Sequence, residues 1–202
     1  VEYAKQYNVT LVVRSSFNRN EGTLVKEETS LEQGIVVSGI AADKNVARIS
    51  ILGVEDRPGI LAKVFTALAD EGVNVDIIVQ SGVKDGKADF SFTVAKQDVD
   101  TAIRVIRDIR GEVPYDDATS ETGLVKVSIV GAGMVSNPGV AARMFDVIAQ
   151  EGVNIKMVST SEIKVSCVID DVKLNEIIRA LHTAFGLDTA EKAFVGGPAV
   201  RR

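Results

Sequence analysis

Tryptophan is absent from this 202-residue chain, and cysteine and histidine occur once each, as Cys167 and His182. A lone cysteine cannot close an intramolecular disulfide. One Cys and one His also fall short of the clustered ligands that a zinc site needs, so no metal is expected. His182 stands among Leu181, Thr183, Ala184 and Phe185, none of which could orient it as a general base, and it reads as a structural residue. Cys167, in the run Val165-Ser166-Cys167-Val168-Ile169, reads as a small core residue. Long apolar runs are missing too. None reaches the ~18 residues of a spanning helix, and no cleavable signal is visible, so the expected home is a reducing cytoplasm with no membrane partner. Basic stripes are lacking: 23 Lys and Arg stand against 28 Asp and Glu, for a net charge of −5. Phosphate backbones need clustered cations, so nucleic acid is not an expected partner. What remains is 46% hydrophobic and 25% charged, the composition of a globular chain with a real core.

A repeat organises that material. Residues 58–81 read P-G-I-L-A-K-V-F-T-A-L-A-D-E-G-V-N-V-D-I-I-V-Q-S, and residues 138–161 read P-G-V-A-A-R-M-F-D-V-I-A-Q-E-G-V-N-I-K-M-V-S-T-S. Each copy is preceded by an alternating β-branched run, 47–54 and 125–130, which is the period-two signal of a strand. Apolar residues then recur at helical spacing, as Ile60, Leu61, Val64, Phe65 and Leu68 in one copy and Val140, Met144, Phe145 and Ile148 in the other. Gly72 and Gly152 end these helices. Strands follow at 74–80 and 154–159. In copy one a Lys84-Asp85-Gly86-Lys87 turn makes a hairpin with 88–94, and in copy two a tighter turn leads into 164–169. Second helices start behind Asp98 and behind Asp170 or Asp171 as caps.

The order strand, helix, strand, strand, helix, with a last strand to come, is the split βαβ pattern of ferredoxin-like folds. The fold class is therefore α+β, two βαββαβ modules with antiparallel sheets. Copy one can close with 112–116. Copy two has only the weak run 191–195, whereas 34–41 is a strong strand belonging to neither copy. It is expected to complete the second module, so that the first is inserted in it. The boundaries are 46–119 for the first module, and 34–45 plus 120–202 for the second. Residues 1–33 stand apart: 1–7 reads as the end of a helix, 9–13 as a short strand and 14–32 as a polar linker.

The loops entering the first helices are the chemically interesting part. Glu55-Asp56-Arg57-Pro58-Gly59 and Val135-Ser136-Asn137-Pro138-Gly139 lead into helix starts whose free N–H groups can hold an anion such as an α-carboxylate. Two readings stand for the first: a ligand site, or a Pro-Gly turn with Asp56 capping the helix. The recurrent Gly-Val-Asn at 72–74 and 152–154 likewise reads either as a helix exit or as a ligand contact, because an Asn amide offers both donor and acceptor to an amino acid. The copies differ in charge, Asp56 matching Ser136 and Asp76 matching Lys156, so only copy one offers carboxylates to a cationic side chain. Gly131-Ala132-Gly133 lacks the third glycine of a dinucleotide fingerprint, Ser136 standing there, and reads as a tight turn.

These strings resemble the tandem ACT domains at the C-terminus of aspartate kinases. The likeness is carried by V-R-S-S-F at 13–17, G-T-L at 22–24, G-V-E-D-R-P-G at 53–59, V-D-I-I-V-Q-S at 75–81, V-S-I-V-G-A-G-M at 127–134 and S-T-S-E-I-K-V-S at 159–166. The resemblance implies an allosteric regulatory region that binds lysine and/or threonine and feedback-inhibits phosphorylation of L-aspartate by ATP, in lysine, threonine and methionine biosynthesis. The kinase motifs do not occur here. ATP and Mg would therefore belong to a separate kinase domain or α-subunit, and this stretch alone would be inactive, with no cofactor of its own. Residues 1–33 would be the arm from that kinase domain. By the same resemblance, effectors are held by Asp56, Gly59, Ile60 and Leu61, by Asn74, Asp76 and Gln80, and by Asn154 and Ile155 of a partner module. A second effector would be held by Asn137, Gly139 and Val140. A homodimer through joined ACT sheets is implied as well. The rival expectation is an ACT-type amino-acid-binding module that serves another enzyme or a transcription regulator.

Overall fold

In the computed structural model, which describes residues 7, 9–18, 20–25, 36–131, 134 and 137–188, the runs of alternating β-branched residues merge into fewer, longer strands than their spacing suggests. The elements are β1 (Leu11–Val13), β2 (Thr23–Val25), β3 (Gly39–Glu55), α1 (Ile60–Asp70), β4 (Val75–Gln80), β5 (Lys87–Val94), α2 (Val99–Asp108), β6 (Asp117–Val130), α3 (Val140–Gln150), β7 (Ile155–Thr160), β8 (Lys164–Asp170) and α4 (Leu174–Ala184). β1 and β2 form a separate antiparallel pair. The others make one six-stranded sheet in the order β4-β5-β3-β6-β8-β7, antiparallel throughout.

Both modules are built on β3 and β6. Residues 47–55 of β3 pair with β5, and residues 48–52 pair with 117–121 of β6, so the first half of β6 closes module one. Residues 124–130 of β6 pair with β8, and residues 39–43 of β3 lie on their other side, against 126–130. The closing strand expected at 112–116 is not formed. That segment is the turn out of α2, Glu112 and Val113 bonding back to the Ile109 carbonyl, and the strand starts at Asp117. The run at 191–195, the helix end at 1–6 and residues 34–35 lie outside the described residues.

A shared strand must present apolar residues to the helices in both modules, yet alternation carried unchanged through the middle would turn one half inside out. The register shifts solve this. Between Asp43 and Val46 β3 carries one extra residue, and between Val46 and Arg48 β6 carries one. Gly123, at φ 73, takes the left-handed conformation at the second bulge. As a result Ala47, Ile49 and Ile51 face α1 and α2 with Phe90, Phe92 and Val94. Val125, Val127 and Ile129 face α3 and α4 with Val165, Cys167 and Ile169. All four helices cover one face of the sheet, and the other face carries a small cluster of Val46, Ile77, Leu124, Met157 and Val168.

Local details depart from expectation in two ways. No side chain caps α1, α2, α3 or α4. The later helix of each pattern is entered through a 3-10 turn, Lys96–Asp98 before α2 and Asp171–Lys173 before α4, whose own i to i−3 bonds, such as Asp98 N–H to the Ala95 carbonyl at 2.9 Å, take up donors that a cap would serve. The stretch read as a polar linker after Val13 contains β2, too short to signal itself in sequence. Around this hairpin Tyr7, Val9, Val12, Val13 and Leu24 are exposed, and Phe17 is 96% exposed.

Candidate functional site

The loop 55–59 is pinned at both ends. Asp56 N–H donates to the Gly86 carbonyl in the β4–β5 turn at 2.9 Å, and Ile60 N–H donates to the Arg57 carbonyl at 3.3 Å. Between them Gly59 adopts φ 90, ψ −11, a conformation open to glycine at little cost, and a Cβ placed there would meet nothing within 4 Å. The loop, the start of α1 and the ends of β4 and β5 enclose a cleft of about 370 Å³, lined among others by Asp56, Gly59, Ile60, Leu61 and Gln80, with Ala88 and Phe90 as an apolar floor. This is the low end of small-molecule pockets. No side chain caps α1, and its N-terminal end, whose Gly59, Ile60 and Leu61 line the cleft, carries a partial positive charge suited to an anion. Asp56 therefore does not act as the cap, and the Pro-Gly turn closes instead through the Ile60 N–H to Arg57 carbonyl bond. Arg57 contributes a guanidinium that stands 3.4 Å from Glu55 and donates to the Glu112 carbonyl.

The second copy repeats the helix entry. Gly139 has φ 93 and ψ −4 with no cap on α3, and Arg143 N–H donates to its carbonyl at 2.9 Å as Lys63 N–H does to Gly59 at 3.0 Å. Asn137, Gly139 and Val140 are thus gathered at one helix start. Part of the loop before them, at 135–136, lies outside the described residues.

The asparagines are not brought to these helix starts within one chain. Asn74 is exposed at the head of β4, whereas Gln80, at the strand's other end, reaches the cleft. α1 spans the same distance, roughly 16 Å for its length. Ile155 opens β7 and Asn154 immediately precedes it, at the opposite edge of the sheet from β4, about 24 Å away at ordinary strand spacing. Asp76 does not line the cleft. Its carboxylate pairs with Lys126 of β6, and Lys126 also stands 3.6 Å from Asp43. The matching Lys156 stands 2.9 Å from Glu121 and 3.3 Å from Asp170, and hydrogen bonds to Glu121 and then Asp170 hold its ammonium above the usual lysine range. Lys126 and Glu121 are not legible as partners from the sequence, because the spacing of β3 and β6 reads as four separate strands whose facing residues cannot be paired. Cys167 is buried, and burial pushes its thiol up to about 12. Among the described residues no three His, Cys, Asp or Glu side chains converge as metal ligands, and no helix is long and apolar enough to cross a membrane.

Two βαββαβ units, each with an uncapped helix start after a Gly turn, define a tandem of ACT modules, and residues 47–111 and 127–185 each match the ACT domain family. The relatives narrow this further. Over 193 residues the chain is 48% identical to an aspartokinase of Geobacillus stearothermophilus, covering 96% of this chain and 46% of that protein. The crystal structure of the regulatory subunit of aspartate kinase from Thermus thermophilus, in a ligand-free form, superposes with a TM-score of 0.70 at 39% identity, over 74% of this chain and 99% of that one. The aspartate kinase of Synechocystis gives 0.74 at 40% identity, over 92% of this chain and 34% of that one. The chain belongs to the aspartokinase family, as its ACT-bearing regulatory part, and it spans about half the length of the curated relatives it matches.

Proposed function

We propose that this chain senses the end-product amino acids lysine and/or threonine and feeds their level back, in the cytoplasm, on an aspartokinase catalytic domain or α-subunit that phosphorylates L-aspartate with ATP and Mg. The observation that carries the reading is the cleft at the uncapped start of α1. An α-carboxylate fits the first-turn N–H groups, Asp56 and Gln80 offer acceptors to the ammonium, and Ala88 and Phe90 floor the space. The matching start at Asn137, Gly139 and Val140 takes a second effector.

Completion of the cleft calls for a second copy. Antiparallel pairing of edge strand β4 with β7 of another chain would set that chain's Asn154 and Ile155 beside Gln80, which the span of one sheet prevents within a protomer. Ile78 on β4 is 50% exposed and Val158 on β7 is 36% exposed, apolar groups on unpaired edges that such a homodimer would cover. The exposed apolar residues of the β1–β2 hairpin support a catalytic domain as the other partner. In keeping with this, the Thermus regulatory subunit matches only 74% of the chain, and the larger Synechocystis kinase 92%.

The deciding experiment is calorimetric titration of the 202-residue chain with lysine, threonine and methionine, with its mass followed in solution. Binding of lysine or threonine by a dimer is expected. Absence of heat with all three overturns the sensor reading.

A further inference from the structure

The strand that opens each module carries a glycine at the same place, two residues beyond the matched core residues Ile51 and Ile129. Gly53 and Gly131 both lie against the segment that closes their module. Asp116 N–H donates to the Leu52 carbonyl at 2.9 Å, and Ser38 N–H to the Val130 carbonyl at 2.7 Å. The closing segments come from different places. In module one it is the turn out of that module's own α2, where Arg110 donates to the Tyr115 and Asp116 carbonyls at 3.3 and 3.4 Å. In module two it is the chain that left the β1–β2 hairpin at Val25 and reaches the second core at Val36.

The two glycines are needed for different reasons. Gly53 has φ 65, and a Cβ on it would meet the Asp116 carboxylate, the movable end of a side chain. Gly131 does not have a positive φ, so its conformation is open to any residue. What excludes a side chain there is backbone alone: an added Cβ would overlap the Val36 carbonyl and lie 2.8 Å from the Val37 Cα. Neither side of this contact yields easily. Gly131 N–H is bonded to the Ile163 carbonyl at 2.9 Å, Val37 is 3% exposed in the second core, and the Ser38 hydroxyl adds a second bond to the Val130 carbonyl at 3.2 Å. We propose that Gly131 is a positioning residue for regulation: it is the seat of the Val36–Val37 backbone, so the arm and the catalytic partner that the arm meets are fixed to module two, and effector signals leave the tandem through this seat. The signal rests on the sensor reading above. The seat does not.

Two measurements test it. Hydrogen exchange on the ligand-free chain reads the seat: Gly131→Ala is expected to speed exchange of the Ser38 amide about ten-fold, as a local opening, and Gly53→Ala to leave it at the native rate. Inhibition by threonine or lysine, assayed with the catalytic domain or α-subunit, reads the signal. Gly131→Ala and Val37→Ala should keep the basal activity and the calorimetric binding of the effector, while inhibition falls by at least about five-fold, the lower end of allosteric couplings. Ile129→Ala weakens the same core without touching 36–38, so it should stay inhibited wherever it is folded. An unchanged Ser38 rate in Gly131→Ala would overturn the proposal. So would inhibition left intact in Gly131→Ala, or lost equally in Ile129→Ala, which makes core stability the cause. If neither amino acid inhibits the native enzyme, the sensor reading falls and the exchange arm still decides the seat.

Discussion

Replacing Ile129 with Ala should loosen a module in which it does not lie. Ile129 is fully buried on β6, in register with Ile40 of β3 and Val165 of β8, among Met144, Ile148 and Ile177 of the second core. Truncating such a residue costs about 3 kcal/mol, within the 2–5 kcal/mol of large-to-small core changes. At a urea dependence of about 2 kcal/mol per molar this lowers the midpoint by roughly 1.5 M. Tyr115 sits in the other core. In a chain without Trp and with only three Tyr, the changes Tyr3→Phe and Tyr7→Phe leave it as the sole tyrosine signal, and it reports on module one. Because β3 and β6 run unbroken through both cores, fraying one end releases strands the other needs. The Tyr115 transition and the far-ultraviolet transition should therefore fall together by roughly 1.5 M and stay superimposed. A Tyr115 midpoint left at its native value, with the far-ultraviolet curve splitting into two steps, would refute the reasoning.

Two glycines should respond differently to alanine. Gly59→Ala meets open space but a left-handed backbone, so it should lose about 1–2 kcal/mol in chemical denaturation. Gly131→Ala would set its Cβ 2.1 Å from the Val36 carbonyl oxygen and must move backbone, so a larger loss is expected. Cys167 should resist thiol reagents at pH 8 in the folded chain and react on unfolding. Because its thiol is raised in the folded state from 9.0 to about 12, the unfolded chain ionises first. Stability should thus fall as pH rises from 9 towards 12, more steeply than in Cys167→Ala. The half-exposed pair of Arg104 and Glu71, at 2.6 Å, should matter little, Glu71→Gln leaving the urea midpoint where the native chain has it.

The repeat made both modules readable because Pro-Gly, the apolar helix stripe and Gly-Val-Asn keep their spacing in each copy. The Lys84 to Lys87 turn was equally plain: Asp85 and Gly86 both have positive φ, the demand that Asp-Gly meets in a two-residue hairpin. The unity of β3 and of β6 was hidden. Lys44-Asn45 and Thr122-Gly123 look like breaks in a period-two pattern, and they are the points where one extra residue lets a single strand serve two cores. Of the candidate site, Asp56, Gly59, Ile60, Leu61 and Gln80 come together because they flank one helix and the neighbouring strand end. Asn74 and Asn154 do not, since their distance from the cleft depends on which edges the sheet leaves open, and local spacing holds no record of that.

The bulged, shared strands also set a timetable for the chain as it is made. Residues 39–43 are synthesised before α1 to α4, yet their partners at 126–130 emerge some 85 residues later, roughly 4–17 s at ordinary elongation rates. During that interval the first module can assemble on 47–55 alone, with a flap of unpaired strand at its margin. The second module, by contrast, cannot finish without reaching back past a neighbour already in place. A ribosome paused between Val130 and Asp170 would therefore hold a folded first module and an open sheet edge, the state in which nascent copies of this chain are most exposed to one another.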